Sequence, residues 1–424
     1  MTIEIVQSSI DMLWVMLGAI LVFFMHAGFA MLETGFTRSK NTLNILMKNF
    51  LTVSLGSILY FLVGFGFMFG ESVFGAIGSN GFALLGREDI GFFVFQSVFA
   101  ATCATIISGA VAERMKLSSY LLLVVAMTGI IYPVVGHWIW GGGWLAKLGF
   151  IDFAGSTVVH LTGAIGAFVA ATLLGPRIGK YSNGKVNVIP GHSIPLGALG
   201  VFILWVGWFG FNGASTLAAD PTLVPPIIAN TLFAASAGVL STAFYTKLRF
   251  KKLDATLTLN GALAGLVSIT AGAANVSLVS SIIIGFLAGI IMTEGIRLID
   301  VKLKVDDPVG AIAVHGITGI WGTIAVGLFE TSNGLFVGGG ASLIGIQILG
   351  VLAVIAWVSL IVFGFLSILK AFNSIRVSNE EEITGLDFAE HGSQAYELND
   401  VFPGISTKTD DFAQRLTELG RAPN

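Results

Sequence analysis

The chain has 424 residues, of which 54% are hydrophobic and only 11% are charged. Soluble domains carry about 25% charged residues, so this composition excludes a soluble enzyme, a disordered chain and a nucleic-acid-binding protein. Glycine is frequent, with 54 residues, and small residues allow helices in a membrane to approach each other closely. The composition therefore indicates a helical membrane protein.

The first residues do not resemble a cleaved signal peptide, which needs a basic segment before its apolar run. Glu4 and Asp11 precede the first apolar run, and the first basic residue is Arg38. At the other end, residues 371–424 hold 4 Lys or Arg and 10 Asp or Glu. We therefore expect one membrane domain over 1–370, followed by an acidic tail that is too short for a second globular domain.

Eleven stretches come close to the roughly 20 apolar residues that a membrane-crossing helix needs. In chain order, the predicted spans lie near 11–32, 43–69, 91–112, 118–138, 155–174, 194–212, 224–246, 256–272, 278–298, 308–329 and 342–369. The eighth span is short, and the tenth begins at Pro308.

The basic residues assign sides to these spans. Of the 22 Lys and Arg residues, all but Arg87 and Lys147 fall on one side of the membrane when eleven spans are counted. Cytoplasmic loops carry an excess of basic residues, and an error of one span would have mixed the two sides. The sequence predicts an all-α polytopic membrane protein with eleven transmembrane helices, its N-terminus outside and its C-terminus in the cytoplasm.

A repeated motif relates the fifth span to the tenth. Residues 152–160 and 307–315 both read D-x-x-G-x-x-x-V-H and end in His160 and His315. An offset of five spans gives the two halves opposite orientations, so the motif predicts a five-plus-five inverted repeat. In transporters built this way, the substrate site lies near mid-membrane where the halves meet. Paired ionisable groups within a membrane indicate function, whereas Asp152 and Asp307 suit either a helix N-cap or substrate contact.

Further motifs carry a resemblance to a known family. They are Arg38-Ser-Lys-Asn41, Phe95-Gln-Ser-Val-Phe99, Gly109-Ala-Val-Ala-Glu113-Arg114, Trp140-Gly-Gly-Gly143, Trp208-Phe-Gly-Phe-Asn212-Gly-Ala-Ser215, Asp306-Asp307-Pro308 and Gly385-Leu-Asp-Phe-Ala-Glu-His391-Gly. With the two histidine motifs, they make residues 11–397 similar to the ammonium transporters (Amt/MEP/Rh), and within them to the Amt branch.

The resemblance implies a homotrimer in the cell membrane, either plasma or inner, with one substrate path through each subunit. It also implies that His160 and His315 are the paired histidines of that path. The family's external recruitment site maps onto Trp140, Phe99 and Ser215, and its phenylalanine gate maps onto Phe99 and Phe211. Residues with an expected pore-lining or supporting role are Phe95, Asp152, Trp208, Thr270 and Asp307.

These residue types suit ammonium. An aromatic face attracts a cation, Trp most strongly, and a hydroxyl accepts one of its N–H groups. Crossing hydrocarbon as an intact cation costs at least a few kcal/mol, so an apolar pore favours loss of the proton and passage as ammonia. Imidazole suits a proton relay, because its unperturbed pKa is ~6.5 and its two nitrogens can donate and accept. Whether the proton returns outside or travels separately is left open by the sequence.

Other site types are not expected. His26, His137, His192 and His391 match no metal-ligand spacing, and the glycine-rich stretches match no phosphate loop, so we expect no metal, no cofactor and no enzymatic activity. A sodium-coupled amino-acid carrier would share the repeat but not the motifs.

The tail gives the main alternative. Residues 371–397 resemble the family's cytoplasmic tail, and by resemblance the cytoplasmic face can bind a PII-type signal protein. Residues 398–424 extend beyond the point where the tail of this family usually ends. Within them, the pattern from Thr409 to Leu419 predicts a short amphipathic helix with Phe412, Leu416 and Leu419 on one face. A tail of this kind also suits a non-conducting ammonium sensor that signals through its cytoplasmic end.

Overall fold

The structure is a computed structural model that describes residues 2–396. Within these residues, ten helices are long and apolar enough to cross a membrane, and one shorter apolar helix lies between the seventh and the eighth of them. In chain order the eleven helices are α1 (Ile3–Phe36), α2 (Ser39–Phe69), α3 (Ile90–Ala110), α4 (Leu117–Lys147), α5 (Ser156–Leu174), α6 (Ile194–Thr216), α7 (Val224–Phe250), α8 (Ala255–Thr270), α9 (Leu278–Lys302), α10 (Ile312–Phe329) and α11 (Ser342–Phe372).

The helical membrane architecture predicted from composition is confirmed, and several helices differ in length from the predicted spans. Helix α1 begins at Ile3 and ends at Phe36, well beyond the predicted 11–32, because its polar first turns remain helical outside the apolar run. Helix α8 has only 16 residues, so ten full-length candidates are found rather than eleven. Two small antiparallel hairpins, Ser72–Val73 with Ile77–Gly78 and Tyr181–Ser182 with Lys185–Val186, are the strands of the described chain.

Glycine brings helices α1 and α6 together. A Cβ atom on Gly35 of α1 would lie 2.3 Å from the backbone nitrogen of Gly197 on α6. One on Gly200 of α6 would lie 2.4 Å from the backbone nitrogen of Leu32. Such backbone-to-backbone contact is possible only without side chains at these positions, which accounts for part of the high glycine content.

Several loops meet on one side of the bundle, which we call the basic side because Arg38, Arg114 and Arg177 lie there. Arg177 binds Asp306 through two nitrogens at 2.8 and 2.9 Å. Its third nitrogen lies 3.3 Å from Glu113, which also accepts a 2.6 Å hydrogen bond from Arg38 Nε. Buried charges of this kind are stable when each is paired.

The charge pairing outweighs burial in this network. Burial alone would raise the pKa of Asp306, but the hydrogen bonds and positive charge of Arg177 lower it to about 2. Burial would likewise raise the pKa of Glu113, and the charges of Arg177 and Arg38 hold it below its usual value. Both carboxylates are therefore ionised at neutral pH and hold the loops of the basic side together.

The tail packs against the same side through two short helices, α12 (Asn379–Thr384) and α13 (Leu386–His391). Glu382 pairs with Arg376 at 2.6 Å and accepts a 2.7 Å hydrogen bond from the backbone of Ile178. Asp387 accepts a 2.8 Å bond from the backbone of Asn44 at the start of α2. The amphipathic helix predicted near 409–419 lies outside the described residues.

Candidate functional site

Two buried imidazoles meet at the centre of the bundle. The Nδ1 atoms of His160 on α5 and His315 on α10 lie 3.2 Å apart. Their rings are nearly parallel, with an angle of 20° and centroids 5.2 Å apart. His160 is fully buried and His315 is 3% exposed, so the pair is shielded from bulk water.

The local fold around His160 begins with a carboxylate. Asp152 accepts hydrogen bonds from the backbone nitrogens of Gly155, Thr157 and Val158 at 2.8 to 2.9 Å. Gly155 has φ of +114°, a conformation that only glycine adopts without strain. The next residues, Ser156–Leu161, form a π-helical turn that carries the histidine, and such turns are frequent at functional sites.

The second motif folds in the same way. Asp307 accepts hydrogen bonds from the backbone nitrogens of Gly310 and Ile312 at 3.0 and 2.7 Å. Gly310 has φ of +79°, and Ile312–Ile317 is again a π-helical turn with the histidine in it. Both aspartates thus cap the turns that present the two imidazoles. The spacing shared by the two motifs corresponds to one local structure that occurs twice.

Two phenylalanines lie next to the imidazole pair on the side away from the basic loops. The rings of Phe99 on α3 and Phe211 on α6 are stacked, with centroids 4.0 Å apart and an angle of 23°. Phe211 also stacks against His160, with centroids 5.4 Å apart. Phe95 packs against Phe99 at 4.7 Å. These rings are buried and separate the imidazoles from the opposite side of the bundle.

Trp208 and Thr270 fix the other face of His160. The Trp208 indole stacks on the imidazole, with centroids 5.1 Å apart and an angle of 17°. Its Nε1 donates a 2.8 Å hydrogen bond to the hydroxyl of Thr270, which holds the indole in place. Within residues 2–396, His160 Nε2 has no hydrogen-bond partner. It is therefore available to a small molecule between the aromatic rings.

Trp140 and Ser215 lie beyond the stacked phenylalanines. The rings of Trp140 and Phe99 meet edge to face, with centroids 6.3 Å apart. Trp140 Nε1 donates a 2.7 Å hydrogen bond to the carbonyl of Asp152. The hydroxyl of Ser215 donates to the carbonyl of Phe211 at 2.7 Å, which leaves its oxygen lone pairs for an approaching donor.

On the basic side of the imidazoles, the structure reveals residues that the sequence reasoning missed. A cavity of ≈ 20 Å³ is lined by His315, Phe29, Glu33 and Asn260, and the Phe29 ring lies 5.9 Å from that of His315. A carboxylate inside an apolar helix was the available signal, because intramembrane ionisable groups indicate function.

The remaining histidines contact other residues. His137 contacts the hydroxyl of Ser72 at 2.8 Å and the carbonyl of Met68 at 2.9 Å. His192 contacts the carbonyl of Thr37 at 2.9 Å. His26 lies 3.4 Å from Thr105, and His391 lies 3.3 Å from Asn44.

A mostly helical chain with this many apolar helices, and with buried polar groups gathered at its centre, defines a multi-pass membrane protein of the transporter class. The profile of the Ammonium Transporter Family matches residues 13–396, and the chain belongs to this family. The resemblance carried by the motifs is thereby confirmed.

Several relatives agree with this assignment. The chain is 45% identical over 416 residues to ammonium transporter Amt2 of Archaeoglobus fulgidus, covering 92% of this chain and 89% of that one. It is 44% identical over 402 residues to a putative ammonium transporter of Synechocystis sp., covering 91% and 89%. These relatives are named as transporters, which are not enzymes.

Solved structures show the same fold. A structure described as a sensor Amt protein matches with a TM-score of 0.89 and 41% identity, over 92% of this chain and all of that chain. Mep2 of Candida albicans matches with a TM-score of 0.82 and 30% identity, over 94% and 92%.

Proposed function

We propose that the chain transports ammonium across the membrane, carrying the nitrogen as ammonia past His160 and His315. The observation that carries this proposal is the 3.2 Å contact between their Nδ1 atoms, next to the stacked rings of Phe99 and Phe211. One Nδ1 donates and the other accepts in such a contact, which leaves an Nε2 atom of each ring for ammonia.

Recruitment takes place at Trp140, Phe99 and Ser215. The aromatic faces attract the cation without a formal negative charge, and the Ser215 oxygen accepts one of its N–H groups. None of these three residues carries a negative charge, so ions that cannot donate hydrogen bonds gain less from them than ammonium does.

Deprotonation occurs at the phenylalanine gate formed by Phe99 and Phe211. Apolar buried surroundings penalise the cation by several kcal/mol more than neutral ammonia. Ammonia then passes Trp208 and the two imidazoles, which hold it by hydrogen bonds and can relay a proton.

The surroundings of the pore follow the family resemblance. The basic side faces the cytoplasm, the N-terminus lies outside, and α1–α5 and α6–α10 form an inverted repeat around the histidine pair. Residues 1–370 form the membrane domain and 371–397 the tail of a homotrimer in the cell membrane. A PII-type signal protein docks on the basic loops of the cytoplasmic face.

One observation favours a second function. The structure described as a sensor Amt protein is matched along its whole length with 41% identity. A receptor would bind ammonium with the same residues and pass little or none through.

Reconstitution into liposomes separates the two functions. We expect uptake of methylammonium and ammonium by the wild-type protein, and loss of uptake in His160→Ala. Ammonium binding without uptake would support the sensor and contradict transport. On a planar supported membrane, an ammonium-induced current indicates a separate proton path, whereas uptake without current indicates that the proton returns outside.

A further inference from the structure

A second polar position lies on the basic side of the histidine pair. Glu33 on α1 is 2% exposed and lines the ≈ 20 Å³ cavity that also touches His315. A cavity needs roughly 10–15 Å³ to hold one water molecule, and ammonia and ammonium are of similar size. The space therefore has room for one such molecule between an imidazole and a carboxylate.

The carboxylate of Glu33 is not used up by its protein contacts. The hydroxyl of Ser108 donates to its Oε2 at 2.6 Å. The nearest buried ammonium group, Lys48 Nζ, donates to the carbonyl of Ser108 at 2.9 Å and lies 4.6 Å from the ring centre of Tyr120. Within residues 2–396, Glu33 forms no direct ion pair. The Asn49 side chain also interacts with this carboxylate. Since a carboxylate offers about four acceptor positions, acceptor positions remain for a ligand in the cavity.

Two further acceptors border the same space. The side-chain nitrogen of Asn260 donates to the carbonyl of Val309 at 3.1 Å. The amide oxygen of Asn260 takes no part in that bond and can accept one from a ligand. His315 uses Nδ1 toward His160, and in the tautomer in which this Nδ1 is the donor, Nε2 of His315 is an acceptor. The rest of the lining is apolar and includes Phe29, Leu263 and Val314.

Gly109 keeps this space open. A Cβ atom at position 109 would lie 2.5 Å from Cγ2 of Val309 and 3.4 Å from Cγ of Glu33. Any larger residue would press on both walls. The other acid nearby, Asp307, is occupied by backbone nitrogens of its own turn.

We propose that Glu33, Asn260 and His315 form an inner ammonium site, with the Glu33 carboxylate as its counter-charge. This inference rests on the proposed transport of ammonium and adds a second binding position to it. Three acceptors around one small cavity match three of the four N–H groups of the ion. In contrast to the outer site, this one contains a carboxylate. It stabilises the ammonium ion that forms once ammonia has passed the gate and the histidines and has taken up a proton, either from the imidazole relay or from the basic side.

Infrared difference spectroscopy tests the site without depending on transport. Full-length protein with ¹³C-labelled glutamate is reconstituted in lipid, and spectra in ammonium chloride are compared with spectra in sodium chloride. We expect an ammonium-dependent carboxyl band in the wild type that is lost in Glu33→Gln. The band should persist in Glu330→Gln, a matched control because Glu330 is also buried but lies at the far end of α10. Glutamine retains the shape and the bond from Ser108.

A double variant covers the case in which Glu33→Gln leaves Lys48 uncompensated and unfolds. Glu33→Gln with Lys48→Met removes both buried charges, which proteins often tolerate, and the band should again be absent. A band that persists in either variant, or that is missing from the wild type, overturns the inner site.

Uptake measured on the same liposomes keeps the two proposals apart. Wild-type uptake without a Glu33-dependent band overturns the inner site and leaves the transport proposal standing, while absent uptake contradicts transport itself. For a site that contributes to transport, the half-saturating ammonium concentration of Glu33→Gln should rise roughly 10-fold, which corresponds to ~1.4 kcal/mol.

Discussion

The Nδ1 atoms of His160 and His315 lie 3.2 Å apart although the two residues are 155 positions apart in the chain. Each imidazole is carried by a π-helical turn that follows a glycine with positive φ and a capping aspartate. The pair is therefore one product of a local structure built twice, and its geometry depends on both copies.

Removing one imidazole should slow transport. In His315→Ala, ammonia in the pore loses one of the two imidazoles that hold it, and a buried polar group without its hydrogen bond costs about 1–3 kcal/mol. As an added barrier to ammonia, that corresponds to roughly 5- to 150-fold slower uptake. Liposome uptake of methylammonium is the measurement. His192→Gln serves as the control, because His192 lies in a loop on the basic side, and equal uptake in all three proteins would contradict the histidine path.

The sequence predicted the helices and the histidine pair for identifiable reasons. Apolar runs of about 20 residues leave little choice but a membrane helix. Polar residues are so rare in this chain that two matching motifs stand out, and His160 and His315 are brought together as the repeat suggested.

Other features were not accessible in the same way. Hydrophobic periodicity does not distinguish a π-helical turn from an α-helix, so the turns that present the imidazoles went unpredicted. Glu33 and Asn260 come from helices far apart in the chain, and only the folded structure shows that they share a cavity with His315. The short α8 shows that tertiary packing allows a helix below the usual span length.

The outer site should affect affinity more than maximal rate. Trp140→Leu removes an aromatic face near Phe99, and a cation–π contact contributes about 0.5–2 kcal/mol. We expect the half-saturating ammonium concentration to rise roughly 2- to 30-fold, with little change in maximal uptake. Trp138→Leu is the matched control, since that indole bonds to Ala76 on the same side of the bundle. A similar rise in both variants would argue against a specific role for Trp140.

The Asp306–Arg177 pair should make stability depend on pH in a defined window. The pKa of Asp306 is lowered to about 2 in the folded protein, against ~3.9 for an unperturbed Asp. The ionised Asp306 therefore contributes about 2–3 kcal/mol to the free energy of unfolding. This contribution is complete above pH ~4 and is lost as the pH falls through about 2.

Asp306→Asn tests this window. At neutral pH the variant leaves Arg177 buried without its main partner, which costs about 3–5 kcal/mol. The gap in apparent Tm between wild type and variant in detergent should be constant down to pH ~4 and should narrow below it. Glu88→Gln, which removes an exposed carboxylate, should have nearly the same apparent Tm as the wild type at each pH. A difference in Tm between the wild type and Asp306→Asn that stays constant down to pH ~2 would contradict the lowered pKa of Asp306.

Docking of the tail on the basic side should depend on Gly385. Gly385, between α12 and α13, has φ of +115°, and a Cβ atom there would lie 2.6 Å from the carbonyl oxygen of Lys40. Gly385→Ala therefore introduces both backbone strain and a clash, and strain alone costs about 1–3 kcal/mol. Because the tail is held by local contacts with the basic loops, this cost favours its detachment over global unfolding.

Detachment should be visible as faster cleavage by trypsin after Arg376, a residue that the docked tail pairs with Glu382. Where cleavage follows the population of the open form, 1–3 kcal/mol corresponds to roughly 5- to 150-fold faster cutting, measured by intact mass. Gly364→Ala is the control, since a Cβ atom at that position on α11 meets nothing within 4 Å. Unchanged cleavage in Gly385→Ala would mean that the tail tolerates the shift at Lys40, and that its docking is governed by Glu382 and Asp387 instead.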